Sequence, residues 1–182
     1  MKRRAIKWQD YAGHIAEALP KGILLTTRAH GKINTMVIGW GGVGINWGRP
    51  VFTAYIREHR FTAEQLAQNP AFTVNLPVSG PVDPAVIKIC GSQSGRDIDK
   101  IAAAHLTPVD GESVAAPAIA ELPLTFECKV LYQQLQDMDA YPDDIRAAMY
   151  PQDVDSFVCV GPNKDAHYTV MAEIVAAYVL ED

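Results

Sequence analysis

Cysteine is scarce in this 182-residue sequence: Cys90, Cys128 and Cys159 are the whole set, and no two stand in a C-x-x-C spacing. That excludes a disulfide scaffold and leaves no Cys/His cluster spaced for zinc. Cys128 and Cys159 lie in strand-like runs and are expected to be buried small hydrophobes. Charge is sparse too, at 20% of residues against a usual ~25%. No apolar run approaches the ~20 residues needed to span a bilayer. The basic start Lys2-Arg3-Arg4 meets Trp8-Gln9-Asp10-Tyr11 before a signal-length apolar core can form. There is no basic stripe or finger for nucleic acid. Dinucleotide and Walker glycine loops, H-E-x-x-H and G-x-S-x-G are all missing. The acidic residues of 137–155 lack the alternation of a calcium loop. The expectation is one domain over 1–182, soluble and cytoplasmic, with neither membrane nor nucleic acid as partner.

The charge that is present is unevenly divided. Residues 1–91 hold 11 basic and 5 acidic side chains, whereas 92–182 hold 5 and 16, within an overall net charge of −5. Such asymmetry fits an anion-binding half, a surface that pairs with another copy, or simple unevenness on a solvated face.

Local patterns predict mostly strands. Asp10 to Leu19 is a helix with Ile15, Ala18 and Leu19 on one face, stopped by Pro20. Gly22–Arg28 and Ile33–Trp40 flank the turn Ala29–Lys32 as a hairpin. Glycines at 39, 41, 42, 44 and 48 let backbone pass close to a flat ligand. Val51–Arg57 and Phe72–Leu76 are strands, separated by a helix over Thr62–Gln68 with Thr62 and Gln65 as a capping box. Helical segments follow near Ala85–Cys90 and Asp97–Ala104, the second capped by Asp97, and 106–121 is mostly loop. Leu124–Val130 alternates with Thr125, Glu127 and Lys129 on a wet face. A short helix over Asp143–Tyr150 precedes a final strand, His167–Val179. With no βαβ rhythm, the class is mainly β, a mostly antiparallel barrel with peripheral helices.

Three places carry candidate chemistry. Arg57-Glu-His-Arg60-Phe-Thr62 joins a strand end to a helix start, where guanidinium groups, a hydroxyl and free N–H groups receive a phosphate; a solvated strand end with a capped helix accounts for it equally. Asn34-Thr35-Met36 with Trp40 lines a heterocycle or is a plain strand with a core tryptophan. Ser92, Ser94 and Arg96 sit on a glycine-flanked loop before Asp97, Asp99 and Lys100, and Cys90 has no histidine at catalytic spacing.

At these places the chain resembles the flavin reductase-like family. The shared series is Asn34-Thr35-Met36 with Trp40, Arg57-x-x-Arg60-x-Thr62 and Phe72-Thr-Val-Asn75-Leu-Pro77. It continues through Ser94-Gly-Arg96-Asp97-x-Asp99-Lys100, Pro117-x-Ile119-x-Glu121-x-Pro123 and His167-Tyr168, covering about residues 20–179. The likeness is greatest to the flavoredoxin-type branch. It implies a Greek-key-like split β-barrel that binds FMN and forms a homodimer with FMN near the interface. It also implies NAD(P)H or a redox protein as electron donor, with no catalytic nucleophile and no metal. By this resemblance Arg57, Arg60 and Thr62 take the phosphate, while Asn34, Thr35, Met36 and Asn75 lie along the ring and ribityl chain. Trp40, Asn46 and Trp47 approach the ring, Ser94, Arg96 and Lys100 serve the phosphate or a second subunit's side, and His167 edges the cavity. Gly41–Gly48 is richer in glycine and tryptophan than the family pattern, which bears on NAD(P)H use more than on FMN.

Overall fold

The structure is a computed structural model describing residues 1–182. One antiparallel sheet organises it. Its strands are β1 (Lys2–Ala5), β2 (Ile23–Ala29), β3 (Lys32–Ile38), β4 (Gly41–Asn46), β5 (Arg49–Arg57), β6 (Ala71–Leu76), β9 (Leu124–Leu135) and β10 (His167–Glu181); the short β7 (Pro108–Val109) and β8 (Ala118–Ile119) pair separately. The order is β3-β2-β6-β9-β10-β5-β4, with β1 pairing the far end of β10. Five helices decorate it: α1 (Ala12–Ala18), α2 (Phe61–Gln68), α3 (Pro84–Ser92), α4 (Lys100–Ala103) and α5 (Asp143–Met149).

Two hairpins are set by local chemistry. Between β2 and β3 the turn residues His30 and Gly31 both have positive φ, 48° and 77°, which matches the right-handed strand twist. Between β4 and β5 Trp47 and Gly48 do the same at 51° and 71°. The glycine-rich segment is therefore an edge strand that runs into a tight turn.

β10 joins the two halves of the barrel. It pairs β5 over His167–Glu173 and β9 along nearly its whole length, with register breaks at Met171/Ala172 and Ile174/Ala176. Such breaks bend a strand and sharpen its twist. The sheet curls round a core in which Ile15 and Leu19 meet Ile23, Leu25, Ile38, Phe52, Phe72, Val74, Phe126 and Val170. β3 and β4 close no ladder with each other, so the barrel is split along the β3 edge.

The outer face of the β3-β2-β6-β9 half is covered, not wet. Cys128 is buried as expected, but Thr125 and Glu127, predicted to face water, are buried completely. The excursion from β7 to β8 lies over them. Its backbone N–H groups at Glu112, Ser113 and Val114 donate to the Glu127 carboxylate at 2.7, 2.5 and 3.0 Å, and the Tyr178 hydroxyl donates at 2.7 Å. Alternation identifies two faces of a strand but not what covers each.

Candidate functional site

The split in the barrel is where polar side chains converge. Two joined cavities, about 360 and 490 Å³, run along the edge of β3 and share Met36, Arg60, Gln93, Lys100 and Cys159. Both volumes fall in the range of small-molecule sites.

The second chamber is built on the start of α2. Arg60 holds extended backbone at the N-cap and offers no side-chain cap, so N–H groups of the first turn are left for another acceptor. The capping box expected from Thr62 and Gln65 is not formed. Thr62 instead accepts a 2.9 Å hydrogen bond from Asn34 Nδ2, and Gln65 donates to the Lys32 carbonyl at 3.0 Å. Across the chamber runs the loop Ser92–Ile98. Its helix is capped by Asp99, not Asp97: the Asp99 carboxylate accepts from the N–H groups of Ile101 and Ala102 at 3.0 and 3.1 Å. Arg96 donates to the His59 carbonyl and pairs with Glu64.

Asn34 is the most telling residue. It is 2% exposed, and its Oδ1 is a buried polar atom without a hydrogen-bond partner. A buried unpaired acceptor costs about 1–3 kcal/mol. A Cβ on Gly95 would overlap that same oxygen, so only glycine lets the loop pack this close to Asn34.

Lys100 projects inward between the chambers. Its Nζ donates to the Thr35 carbonyl at 3.0 Å and the Cys90 carbonyl at 2.8 Å. Burial, reinforced by Arg60, pulls its pKa down to about 8. The Cys90 thiol is pushed the other way, to about 11, by burial that outweighs the nearby ammonium. Cys90 is therefore no thiolate near neutrality.

The lowered Lys100 pKa makes two opposed trends testable. Between about 8 and the ordinary 10.5 the unfolded chain binds more protons than the folded one, so this residue makes folding stability rise with pH. Over the same window the folded amine loses its charge, so affinity for an anionic ligand falls. Urea midpoints and ligand titrations across that window check both, and Lys100→Met should flatten each trend.

The first chamber is lined by Trp40, Tyr55, Met149, Gly161, Pro162 and His167 among others. Trp40 packs on His167 with ring centroids 4.8 Å apart. His167 is 6% exposed; burial first, then Arg57 and Arg60, push its pKa down to about 3, so its imidazole is neutral across the physiological range.

Segment 141–165 roofs the site. Sequence reasoning places a short helix over Asp143–Tyr150 but gives this segment no part in the site, and misses Met149, Tyr150, Phe157, Gly161 and Pro162, because nothing local marks a segment that packs against strands about a hundred residues away. Cys159, expected in a buried strand, lies half-exposed in this roof. Arg57 is committed to holding it. Its Nη1 donates to Asn163 Oδ1 (2.9 Å) and the Asp165 carbonyl (2.7 Å), and its Nη2 to the Met149 carbonyl (3.1 Å). Arg60 donates to the carbonyls of Val158 and Cys159 at 3.1 and 3.0 Å. Asp165, buried, accepts from Ser156 and lies 3.0 Å from His59 Nδ1.

Of the sequence candidates, the structure brings Asn34, Met36, Arg60, Thr62, Ser94, Arg96 and Lys100 to the second chamber, and Met36, Trp40, Arg57, Arg60, Lys100 and His167 to the first. Four stand elsewhere. The side chains of Thr35 and Asn75 belong to a buried network with Thr26, Thr73 and Thr125, at 2.9–3.3 Å, because alternation turns them to the opposite face from Asn34 and Met36. Asn46 and Trp47 lie on the β4–β5 hairpin, Trp47 in a surface groove with Tyr132, Leu135 and Met171.

This geometry has a family. The flavin reductase-like domain matches residues 17–182. The chain belongs to the flavin reductase-like family. Solved structures agree with that membership. A flavoredoxin from Methanosarcina acetivorans is 28% identical with a TM-score of 0.62, covering 88% of this chain and 68% of its own. The flavoredoxin of Desulfovibrio vulgaris (Miyazaki F) is 23% identical at 0.61, covering 88% and 69%. An FMN-binding domain of a flavin reductase-like enzyme from Shewanella baltica is 16% identical at 0.59, covering 98% and 77%. No curated protein matches the sequence. Family and neighbours show the split-barrel fold, and the Shewanella baltica neighbour is named as a binder of FMN. The residues of this flavin reductase-like chain fit such a group: an unpartnered buried Asn34 oxygen, a glycine cradle, an open helix start and several cations converge on one cleft. No helix is long and apolar enough to cross a membrane.

Proposed function

We propose that this flavin reductase-like protein is an FMN-dependent oxidoreductase, cytoplasmic and homodimeric, that takes electrons from NAD(P)H or a redox protein and passes them to flavin or another acceptor. The observation that carries the reading is the unpartnered Asn34 Oδ1 at a cleft flanked by the α2 start, Arg60 and Lys100. Bound FMN supplies the electron-transfer chemistry itself.

The chain's own part is to bind, orient and shield. Arg60, Thr62, Ser94 and the first-turn N–H groups of α2 receive the phosphate, with Arg96 at the rim. Asn34 Oδ1 accepts from a flavin N–H or ribityl hydroxyl. Lys100 holds positive charge beside the cleft, where it favours an electron-rich ligand. Met36, Trp40 and the roof exclude water from the first chamber, where the electron donor or acceptor enters. The exposed apolar side chains of Ile45, Trp47, Leu131, Tyr132 and Leu135 support docking of a second copy, which would give Asn46 and Trp47 a role across the interface.

Anaerobic mixing tests the reading. Purified protein should take up one FMN per chain, elute at twice the monomer mass and lose its flavin absorbance on addition of NADH or NADPH. Failure to take up FMN overturns the proposal. Uptake without bleaching, in flavin that light can still reduce, replaces the reductase with a partner-fed electron carrier.

A further inference from the structure

We propose that Tyr150 is a positioning residue that holds His167 in the tautomer carrying its proton on Nε2, so that an N–H donor faces the first chamber. The Tyr150 hydroxyl lies 2.9 Å from His167 Nδ1, and both residues are buried, at 3% and 6% exposure. A phenol is a far stronger acid than a neutral imidazole N–H, so in this pair the hydroxyl donates and Nδ1 accepts. The proton of the neutral ring then resides on Nε2, which has no hydrogen-bond partner within the protein, while the ring itself lines the cavity.

The surroundings hold both partners in these forms. Arg57 lies 5.4 Å from the Tyr150 ring centroid, and Tyr141 stacks on the same ring at 5.2 Å and 12°. Trp40 braces His167 from the β3 side at 4.8 Å. The charged groups acting on the imidazole are Arg57 of β5, Arg60 at the start of α2 and Asp165 of the roof; the two arginines oppose its protonation and Asp165 favours it, with burial the largest influence of all. Tyr150 likewise stays protonated, since burial and Tyr141 raise its pKa.

An Nε2–H facing a chamber that Trp40, Met149 and Pro162 share with Arg57, Arg60 and Lys100 recognises an oxygen acceptor, such as the carbonyl or carboxamide oxygen of a flat group. Calling that chamber the substrate chamber rests on the proposed function; the tautomer does not, and its test needs no FMN. Two-bond 15N–1H spectra of full-length protein labelled at histidine read the proton's position directly, and His167→Gln assigns the signal by its loss. The expected result is an Nε2-protonated His167 that does not titrate between about pH 5 and 8. Tyr150→Phe should give mixed tautomers or bring the titration into that window. A proton on Nδ1 in the unaltered protein overturns the proposal even if the Tyr150→Phe variant fails to fold. An unchanged spectrum in a folded Tyr150→Phe variant overturns it as well. Neither result depends on whether FMN binds, so failure here and failure of the oxidoreductase reading are told apart.

Discussion

Arg60→Ala is expected to weaken FMN binding about 10- to 100-fold while leaving the fold largely intact. The magnitude follows from losing one charge-assisted contact to a phosphate, about 1.5–3 kcal/mol. Its cost to stability is smaller because the two hydrogen bonds of the Arg60 side chain, to the Val158 and Cys159 carbonyls at the roof, are partly open to solvent, so water takes their place when the side chain is removed. Fluorescence titration with FMN beside a urea unfolding curve separates the two effects. An unchanged FMN affinity would remove Arg60 from the phosphate site. The neighbouring arginine should behave differently. Arg57 is buried and ties two separate stretches of the roof, at Met149 and at Asn163–Asp165, to β5, so its loss should appear first as reduced stability.

Glu127→Ala is expected to be among the most damaging single changes to the fold. The carboxylate is fully buried and serves three backbone N–H groups and the Tyr178 hydroxyl. Its removal strands those donors beneath the β7–β8 excursion. At about 1–3 kcal/mol for a buried unsatisfied group, and allowing the excursion to relax, the expected loss is about 4 kcal/mol. For a chain of this size that corresponds to a fall in Tm of roughly 10 °C. A Tm within about 2 °C of the parent protein would show that the excursion contributes little to covering the sheet. FMN affinity at low temperature should change much less than in Arg60→Ala, because Glu127 lies on the outer face of the sheet.

The two residues illustrate what the sequence disclosed unevenly. Arg60 was visible because its neighbours are local: a strand end, an arginine and a helix start within six residues imply an anion site whatever lies above. Glu127 was misread because it sits in clean alternation with Thr125 and Lys129, the pattern of a solvated face. Only Lys129 is exposed. Thr35 and Asn75 were placed along the flavin by motif, yet strand alternation turns their side chains into the Thr26–Thr73–Thr125 network. The capping assignments erred for a related reason. Thr62 and Asp97 have the right chemistry for caps, but Asn34, 28 residues away, engages Thr62, and Asp99 stands nearer the true start of α4.

By itself the sequence determined what depends on near neighbours. That covers the mainly β class, the hairpin with His30 and Gly31 at its turn, the arginine–threonine junction, and an ordered motif series that resembles one family. Tertiary structure alone decided which polar side chains are buried. It decided that Arg57 holds a roof, that Lys100 stands desolvated between two chambers, and that Tyr150 meets His167. The physical reason is that burial and electrostatics are set by what packs against a residue. In this split barrel the covering segments, 108–119 over the sheet and 141–165 over the cleft, come from far along the chain and carry no local mark of where they will land.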